Sequence, residues 1–157
     1  MTLPLNPLCT ITLSGGTGAC SPTSKALTAG AHQVVAAYGG DTNFIGSTSA
    51  TSSLTIAKAA STTKLALSAV SVIFGSEQTE HFAVNVTAQF AGTPTGTVSV
   101  KSGTLLLCKA TLKAGKGTCS PAAKALAVGA HTITASYGGD ANFLSSTSAG
   151  KTLTVKT

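Results

Sequence analysis

The sequence predicts an all-β protein, in which one complete two-sheet antiparallel β-sandwich follows half of a second copy. Short runs of alternating apolar and polar residues are the first sign, and residues 80–90 form the clearest run. Gly, Pro, Asn or Asp separates most of these runs, and no window has the apolar spacing of a helix. Many short strands spaced by turns are typical of a sandwich.

An internal repeat is the second sign. Residues 9–50 recur at 108–149 with a constant offset of 99 positions (108 − 9 = 99), and 25 of the 42 aligned residues are identical. A period this long is typical of an array of whole small domains. About forty residues, 61–101, precede the second copy and have no counterpart before the first.

Seven strands, lettered A to G, are expected in the second copy. Their predicted ranges are A 63–74, B 80–90, C 95–101, D 104–112, E 116–120, F 130–137 and G 151–156. The residues expected to face the core are Leu65, Leu67, Val72, Phe74, Phe82, Val84, Val86, Ala88, Phe90, Val98, Val100, His131, Ile133, Ala135, Tyr137, Leu153 and Val155.

The first copy contains only the later strands, D 5–13, E 17–21, F 31–38 and G 52–56. We therefore predict a truncated repeat over 1–57 and a complete repeat over 58–157. The truncated repeat should leave the apolar side chains of Val34, Ala36, Leu54 and Ile56 uncovered. We expect it to fold poorly alone or to recruit strands from another chain, and we expect the sequence to be a fragment of a longer array.

Composition excludes several classes of function. Apolar residues make up 43% of the chain and charged residues only 9%, which indicates a folded protein. The net charge of +6 comes from ten lysines without any arginine, which argues against sequence-specific nucleic-acid binding. A loose attraction to polyanions stays open, although lysines that keep the surface soluble are favoured. No apolar run has the length of a transmembrane segment, and we expect no export signal within this sequence.

Each copy places two cysteines across a predicted hairpin, as Cys9 with Cys20 and Cys108 with Cys119. Facing residues of antiparallel strands lie close enough for a disulfide bond. Free buried thiols and a metal site are weaker alternatives, because metal ligands usually come in closer pairs. Disulfides would indicate an oxidising compartment or the outside of the cell.

The loop YGGDxNF follows strand F in both copies. Its candidate residues are Tyr38, Gly39, Asp41, Asn43 and Phe44 in the first copy and Tyr137, Gly138, Asp140, Asn142 and Phe143 in the second. A ligand or calcium loop is one interpretation, but one carboxylate per loop is too few for calcium. A tight connection is favoured, because Gly, Asp and Asn are turn residues and the two aromatic rings can close the end of the core.

The remaining polar residues indicate no chemistry. His32 and His131 stand alone and are expected to be hydrogen-bonded structural residues, whereas Glu77, Glu80 and His81 are expected to form a solvated cluster. The sequon at Asn85 lies within a predicted strand and is given no role. Four acidic residues offer no acid–base pair, and no partnered nucleophile is found. We expect neither an enzyme nor a bound cofactor.

The motifs PTGTVSV, GAHTITASYGGDANFLSSTSA and the closing LTV resemble the repeats of bacterial immunoglobulin-like (Ig-like) domains. The resemblance covers 61–157 fully and 3–57 as a half copy. It implies β-sandwiches arranged in tandem in secreted or surface-attached bacterial proteins, commonly as stalks and sometimes in adhesion. It carries no catalytic residues.

A structural spacer is therefore the expected function, with neighbouring Ig-like repeats of a longer chain as partners and an extracellular or cell-surface location. The alternatives are a module that binds a glycan or a host protein, or a noncatalytic part of a secreted polysaccharide-degrading enzyme. Exposed aromatic rings would favour glycan binding. Nearly every aromatic residue falls on a predicted core position, which favours the spacer.

Overall fold

The computed structural model describes residues 7–157, which are built almost wholly from β-strands. The chain divides into two compact units, Met1–Ala57 and Lys58–Thr157. A 3₁₀ turn at Glu77–Thr79 interrupts the strands. Within 7–157, no helix has the length and apolar character needed to cross a bilayer.

The first unit contains two small antiparallel pairs, β1 with β4 and β2 with β3. These strands are β1 (Gly30–Val34), β2 (Ala37–Tyr38), β3 (Ser47–Thr48) and β4 (Ser52–Ile56). They occupy the predicted strands F and G. The predicted strands D (5–13) and E (17–21) are wrong for residues 7–13 and 17–21, where only an isolated bridge joins Ser14 to Thr17. Residues 5 and 6 lie outside the described part of the chain.

The second unit contains nine strands in two sheets. They are β5 (Ser61–Leu67), β6 (Ser71–Ile73), β7 (Phe82–Ala88), β8 (Thr97–Ser102), β9 (Leu105–Thr111), β10 (Lys116–Cys119), β11 (Gly129–Tyr137), β12 (Ser146–Thr147) and β13 (Lys151–Lys156). One sheet has the order β10-β7-β5, and the other β6-β13-β11-β8-β9 with β12 beside β11. The all-β sandwich prediction is confirmed.

The sheets explain why strands D and E are missing from the first unit. In the second unit the equivalent strand β9 pairs with β8, and β10 pairs with β7. The given sequence contains no segment before the first copy that corresponds to these two partners. Strand F needs only strand G beside it, and that partner is present in both copies as β4 and β13. A strand without a neighbouring strand has no partner for its backbone hydrogen bonds and is not stabilised.

The predicted single strand A is two strands in different sheets. Strand β5 runs antiparallel to β7, whereas β6 runs parallel to β13 in the opposite sheet. The chain crosses between the sheets at residues 68–70, next to the buried carboxylate of Glu80. The first strand of the unit therefore helps to close both edges of the sandwich.

The core lies between the two sheets of the second unit and contains most of the predicted residues. The buried apolar residues are Leu65, Val72, Phe82, Val84, Val86, Val98, Val100, Ala110, Leu112, Leu126, Ile133, Ala135, Tyr137, Phe143, Leu153 and Val155. Phe90 and Phe74 were expected to be inside but are 69% and 44% exposed. Phe74 directly follows the last residue of β6, and Phe90 lies two residues beyond the end of β7, so alternation no longer assigns either to a face.

No residue between 7 and 57 is buried. Leu54 is 41% exposed, although the equivalent Leu153 is fully buried. Val34 and Ile56 are half-buried and Ala36 is exposed, whereas their counterparts in the second unit lie in the core. The predicted exposure of this apolar surface is therefore present in the structure.

The aligned leucines provide a matched test. We expect Leu153→Ala to lower the free energy of unfolding of the second unit by about 2–5 kcal/mol, because it opens a cavity in the core. Leu54→Ala removes the same atoms from an exposed position, so we expect it to leave that unfolding transition nearly unchanged. Urea unfolding monitored by Tyr fluorescence measures both variants. Equal losses would contradict the different burial of the two copies.

Candidate functional site

Both cysteine pairs are disulfide-bonded, with Cα–Cα distances of 6.0 Å in each copy. In the second unit Cys108 belongs to β9 and Cys119 to β10, which lie in different sheets. The expected hairpin is therefore wrong for the second unit, since these strands are not a hydrogen-bonded pair apart from a bridge at their turn, Lys113 to Lys116. The disulfide instead links the two sheets at one edge of the sandwich.

The YGGDxNF loop is held by its aspartate in both copies. Asp41 Oδ1 accepts from the backbone N–H groups of Asn43 and Phe44 at 2.8 and 2.9 Å. Asp140 Oδ1 accepts from the equivalent residues Asn142 and Phe143, each at 2.9 Å. A carboxylate that bonds the backbone two and three residues ahead is a turn device, which supports a tight connection.

The second carboxylate oxygen has different partners in the two copies. In the first copy the Tyr38 hydroxyl donates to Asp41 Oδ2 at 2.7 Å. In the second copy Asp140 Oδ2 accepts instead from the N–H and the hydroxyl of Thr95, both at 2.9 Å. Thr95 lies just before strand β8, in a segment without a counterpart in residues 1–57, so the complete unit bonds its loop to the segment that leads into β8.

The charge of these loops follows from those contacts. Burial raises the pKa of Asp140, but the donors on Thr95 and Asn142 outweigh it and lower the pKa to about 2. The buried Tyr137 hydroxyl has no hydrogen-bond partner within residues 7–157. Its burial, with the negative Asp140 nearby, raises its pKa to about 12. In the first copy the hydrogen bond from Tyr38 lowers the pKa of Asp41.

The expected solvated cluster at the start of strand B is wrong for its two glutamates, which are fully buried. Glu80 accepts from the N–H groups of Ser68 and Ala69 at 2.7 and 2.9 Å and from the Ser68 hydroxyl. Glu77 accepts from the Lys124 N–H at 2.8 Å. Burial raises the pKa of Glu77, but backbone donors including Lys124 hold it below its ordinary value. Both carboxylates therefore stabilise loops by accepting hydrogen bonds from them. Of the three residues expected in the cluster, only His81 is exposed.

The two aligned histidines make the same contact. In His32 and His131 the ring Nε2 lies 2.7 Å from the carbonyl oxygen four residues earlier, on Thr28 and Ala127. This matches a hydrogen-bonded structural role. Over residues 7–157, no three His, Cys, Asp or Glu side chains come together as a group that could hold a metal ion.

A basic groove lies over the β10-β7-β5 sheet and extends to β9, the edge strand of the other sheet, and the sequence did not predict it as a site. It has a volume of about 950 Å³, and its polar lining includes Lys64, Asn85, Lys109, Lys113 and Lys116, which we call the lysine groove. All four lysines are exposed. The sequence shows them as scattered charges, because they lie on three different strands and one turn.

The loop contacts predict a pH dependence. The folded pKa of Asp140 is about 2, below its ordinary value of 3.8, so the ionised form stabilises the fold. This stabilisation is present above about pH 4 and is lost as the pH falls towards 2. We expect Asp140→Asn to destabilise the second unit by about 1–2 kcal/mol at pH 7, allowing for partial exposure, and to flatten its stability between pH 4 and 2.

The matched control for this test is Asp41→Asn, which alters the same motif in the first copy. We expect it to leave the unfolding of the second unit unchanged at every pH. Denaturant unfolding at a series of pH values measures all three proteins. If Asp140→Asn kept the full acid dependence of the unaltered chain, another group would have to be responsible.

The comparisons with known proteins agree with this structure. The family model described as the bacterial Ig-like domain (group 3) matches residues 65–156, which is 92 of 157 positions (156 − 65 + 1 = 92). A search of curated proteins finds no match. Ig-like domains of this kind are typically noncatalytic and serve as structural or binding modules. The chain belongs to the bacterial Ig-like domain family, group 3.

Proposed function

We propose that this chain is a noncatalytic spacer of an extracellular or surface-attached bacterial protein. The observation that carries the proposal is the position of the two ends of the second unit. The chain enters that unit at one end of the sandwich and leaves it at the other. A module with this geometry adds length wherever it is inserted.

Backbone contacts locate the two ends. At the entrance Ala59 bridges to Phe143, and the Leu144 N–H donates to the Ala59 carbonyl at 2.9 Å. At the exit the Phe74 N–H donates to the Lys156 carbonyl at 2.7 Å. Strand β13 ends at Lys156, and β6 runs parallel to it. Residues 61–73 therefore run from one end to the other, a path of roughly 40 Å at about 3.3 Å per residue.

The same pairing favours resistance to tension. A pull on the two ends of the unit acts on β6 and β13 in opposite directions along their axes. The hydrogen bonds between them must then break together and not one after another. Two of these bonds, from Phe74 to Lys156 and from Thr154 to Val70, measure 2.7 and 2.9 Å.

The disulfides support an extracellular location, because such bonds persist in oxidising surroundings. They also limit extension, since the residues between Cys108 and Cys119 cannot be pulled straight while the bond is intact. The truncated repeat over 1–57 and the longer array around it are parts of the same proposal. The first copy is supported by its shared disulfide, histidine and loop contacts.

A binding module is the second candidate, since three of the seven aromatic residues are exposed, contrary to the expectation that nearly all lie in the core. They are Phe44, Phe74 and Phe90. Phe44 is 68% exposed where its counterpart Phe143 is 5% exposed, so its exposure follows from the strands that the first copy lacks. The three lie on separate segments, which favours the spacer over a stacking platform for sugars.

Force measurements on the full chain test the spacer. We expect Phe74→Pro to lower the force that unfolds the second unit, because proline removes the N–H that donates to Lys156. Phe74→Ala keeps that N–H and is the matched control, with a force close to that of the unaltered chain. Single-molecule pulling through the two termini measures the force. Equal forces in all three proteins would contradict the proposed load path.

The same pulling experiment can test the disulfide bond between Cys108 and Cys119, because the bond shortens the chain that unfolding releases. Its cysteines are 11 positions apart and the bond holds their Cα atoms 6.0 Å apart, so reduction should lengthen the unfolded second unit by roughly 30 Å. The double variant Cys108→Ser, Cys119→Ser should show this extra length without a reductant. If reduction did not change the length released by the second unit, the bond would not be closing the loop.

A further inference from the structure

We propose that the lysine groove binds an acidic polysaccharide whose negative charges are carboxylates. This inference goes beyond the spacer function and assigns the second unit a ligand of its own. It stands on the arrangement of the lysines, on their absence from the first copy and on the kind of surface between them.

The strand register sets the lysines in order. Lys64 on β5 pairs with Asn85 on β7, and Asn85 pairs with Lys116 on β10. These three side chains form one row across the sheet, and Lys64 and Asn85 each lie between two buried residues. The two lysines lie on either side of Asn85, about 10 Å apart at their Cα atoms. Lys109 and Lys113 extend the basic wall beside β10.

No acidic side chain among residues 7–157 lines this groove. The described residues that line the groove include four lysines and no acid. Glu77 and Glu80 are buried in loop contacts elsewhere, and Asp140 is bonded to Thr95. From residue 58 onwards the sequence has nine lysines and three acids, a net charge of +6, whereas residues 1–57 have one of each. The basic character of the chain is therefore confined to the unit that has the groove.

The repeat supplies an internal comparison. At an offset of 99, the positions of Lys109, Lys113 and Lys116 in the first copy are Thr10, Ser14 and Thr17. The cysteines, histidine and loop residues around them are identical in both copies. The two copies therefore differ in charge at these three positions although they share the cysteines, the histidine and the loop residues.

The groove surface selects the class of ligand. Its floor consists of small or amide side chains, Ala66, Ala83 and Asn85, which let a flat chain lie close to the sheet. None of the described residues that line it is aromatic, so these residues offer no stacking platform for bases or for uncharged sugars. Lysines attract carboxylates as point charges, and Asn85 can bond hydroxyl groups. Together these features favour an acidic sugar chain over a nucleic acid.

The test measures binding of the full chain to a polygalacturonate decamer by isothermal titration calorimetry at low salt. The groove variant combines Lys109→Thr, Lys113→Ser and Lys116→Thr, which installs the residues of the first copy. The matched control combines Lys101→Thr, Lys151→Thr and Lys156→Thr, which removes three charges on β8 and β13, outside the groove. We expect Kd to rise about tenfold or more in the groove variant and less than about threefold in the control.

Three results would overturn the proposal. Equal weakening in both variants would show attraction to net charge alone. Binding of a decathymidylate as tightly as the polygalacturonate would assign the groove to nucleic acid. Failure of the unaltered chain to bind polygalacturonate below about 1 mM would leave the groove without this ligand. Circular dichroism melting of each variant shows that it is folded, and none of these outcomes alters the force experiment on the spacer.

Discussion

The contact between two apolar sheet faces is the interaction on which the rest of the second unit depends. Strands β7 and β11 supply its largest side chains, Phe82, Ile133 and Tyr137, all buried. The first copy shows what the same sequence pattern does without the opposing sheet. Its strands F and G still pair, yet none of residues 7–57 is buried. Apolar alternation therefore specifies a face, but only a second sheet turns that face into a core.

Much of this architecture could be predicted from local patterns. The alternation that assigns Val84 and Leu153 to the core is a property of each strand by itself, and the structure buries both. The exposure of Phe90 and the crossing of strand A between the sheets could not be predicted from such local patterns. They depend on where hydrogen-bonded partners end, and those partners lie far away in the sequence.

Among the polar residues too, contacts to residues nearby in the sequence could be predicted, whereas contacts to distant residues could not. The turn formed by Asp140 could be predicted because its first partners are only two and three residues away. The burial of Glu77 could not be predicted, because its partner Lys124 is 47 positions away and contributes only a backbone N–H. The lysine groove was missed for a similar reason, since its charges lie on β5, β9, β10 and the turn between the last two, which come together only in the folded unit.

The opposite placement of entrance and exit in the second unit has a consequence for how such a protein changes over time. Inserting or deleting one period of 99 residues leaves every remaining entrance and exit as it was. In the proposed array, the reach of the molecule can then vary by recombination within its gene, without a new side chain having to be selected. The length of the array would then depend on the number of repeats. Individual repeats could gain or lose surface features without changing that length.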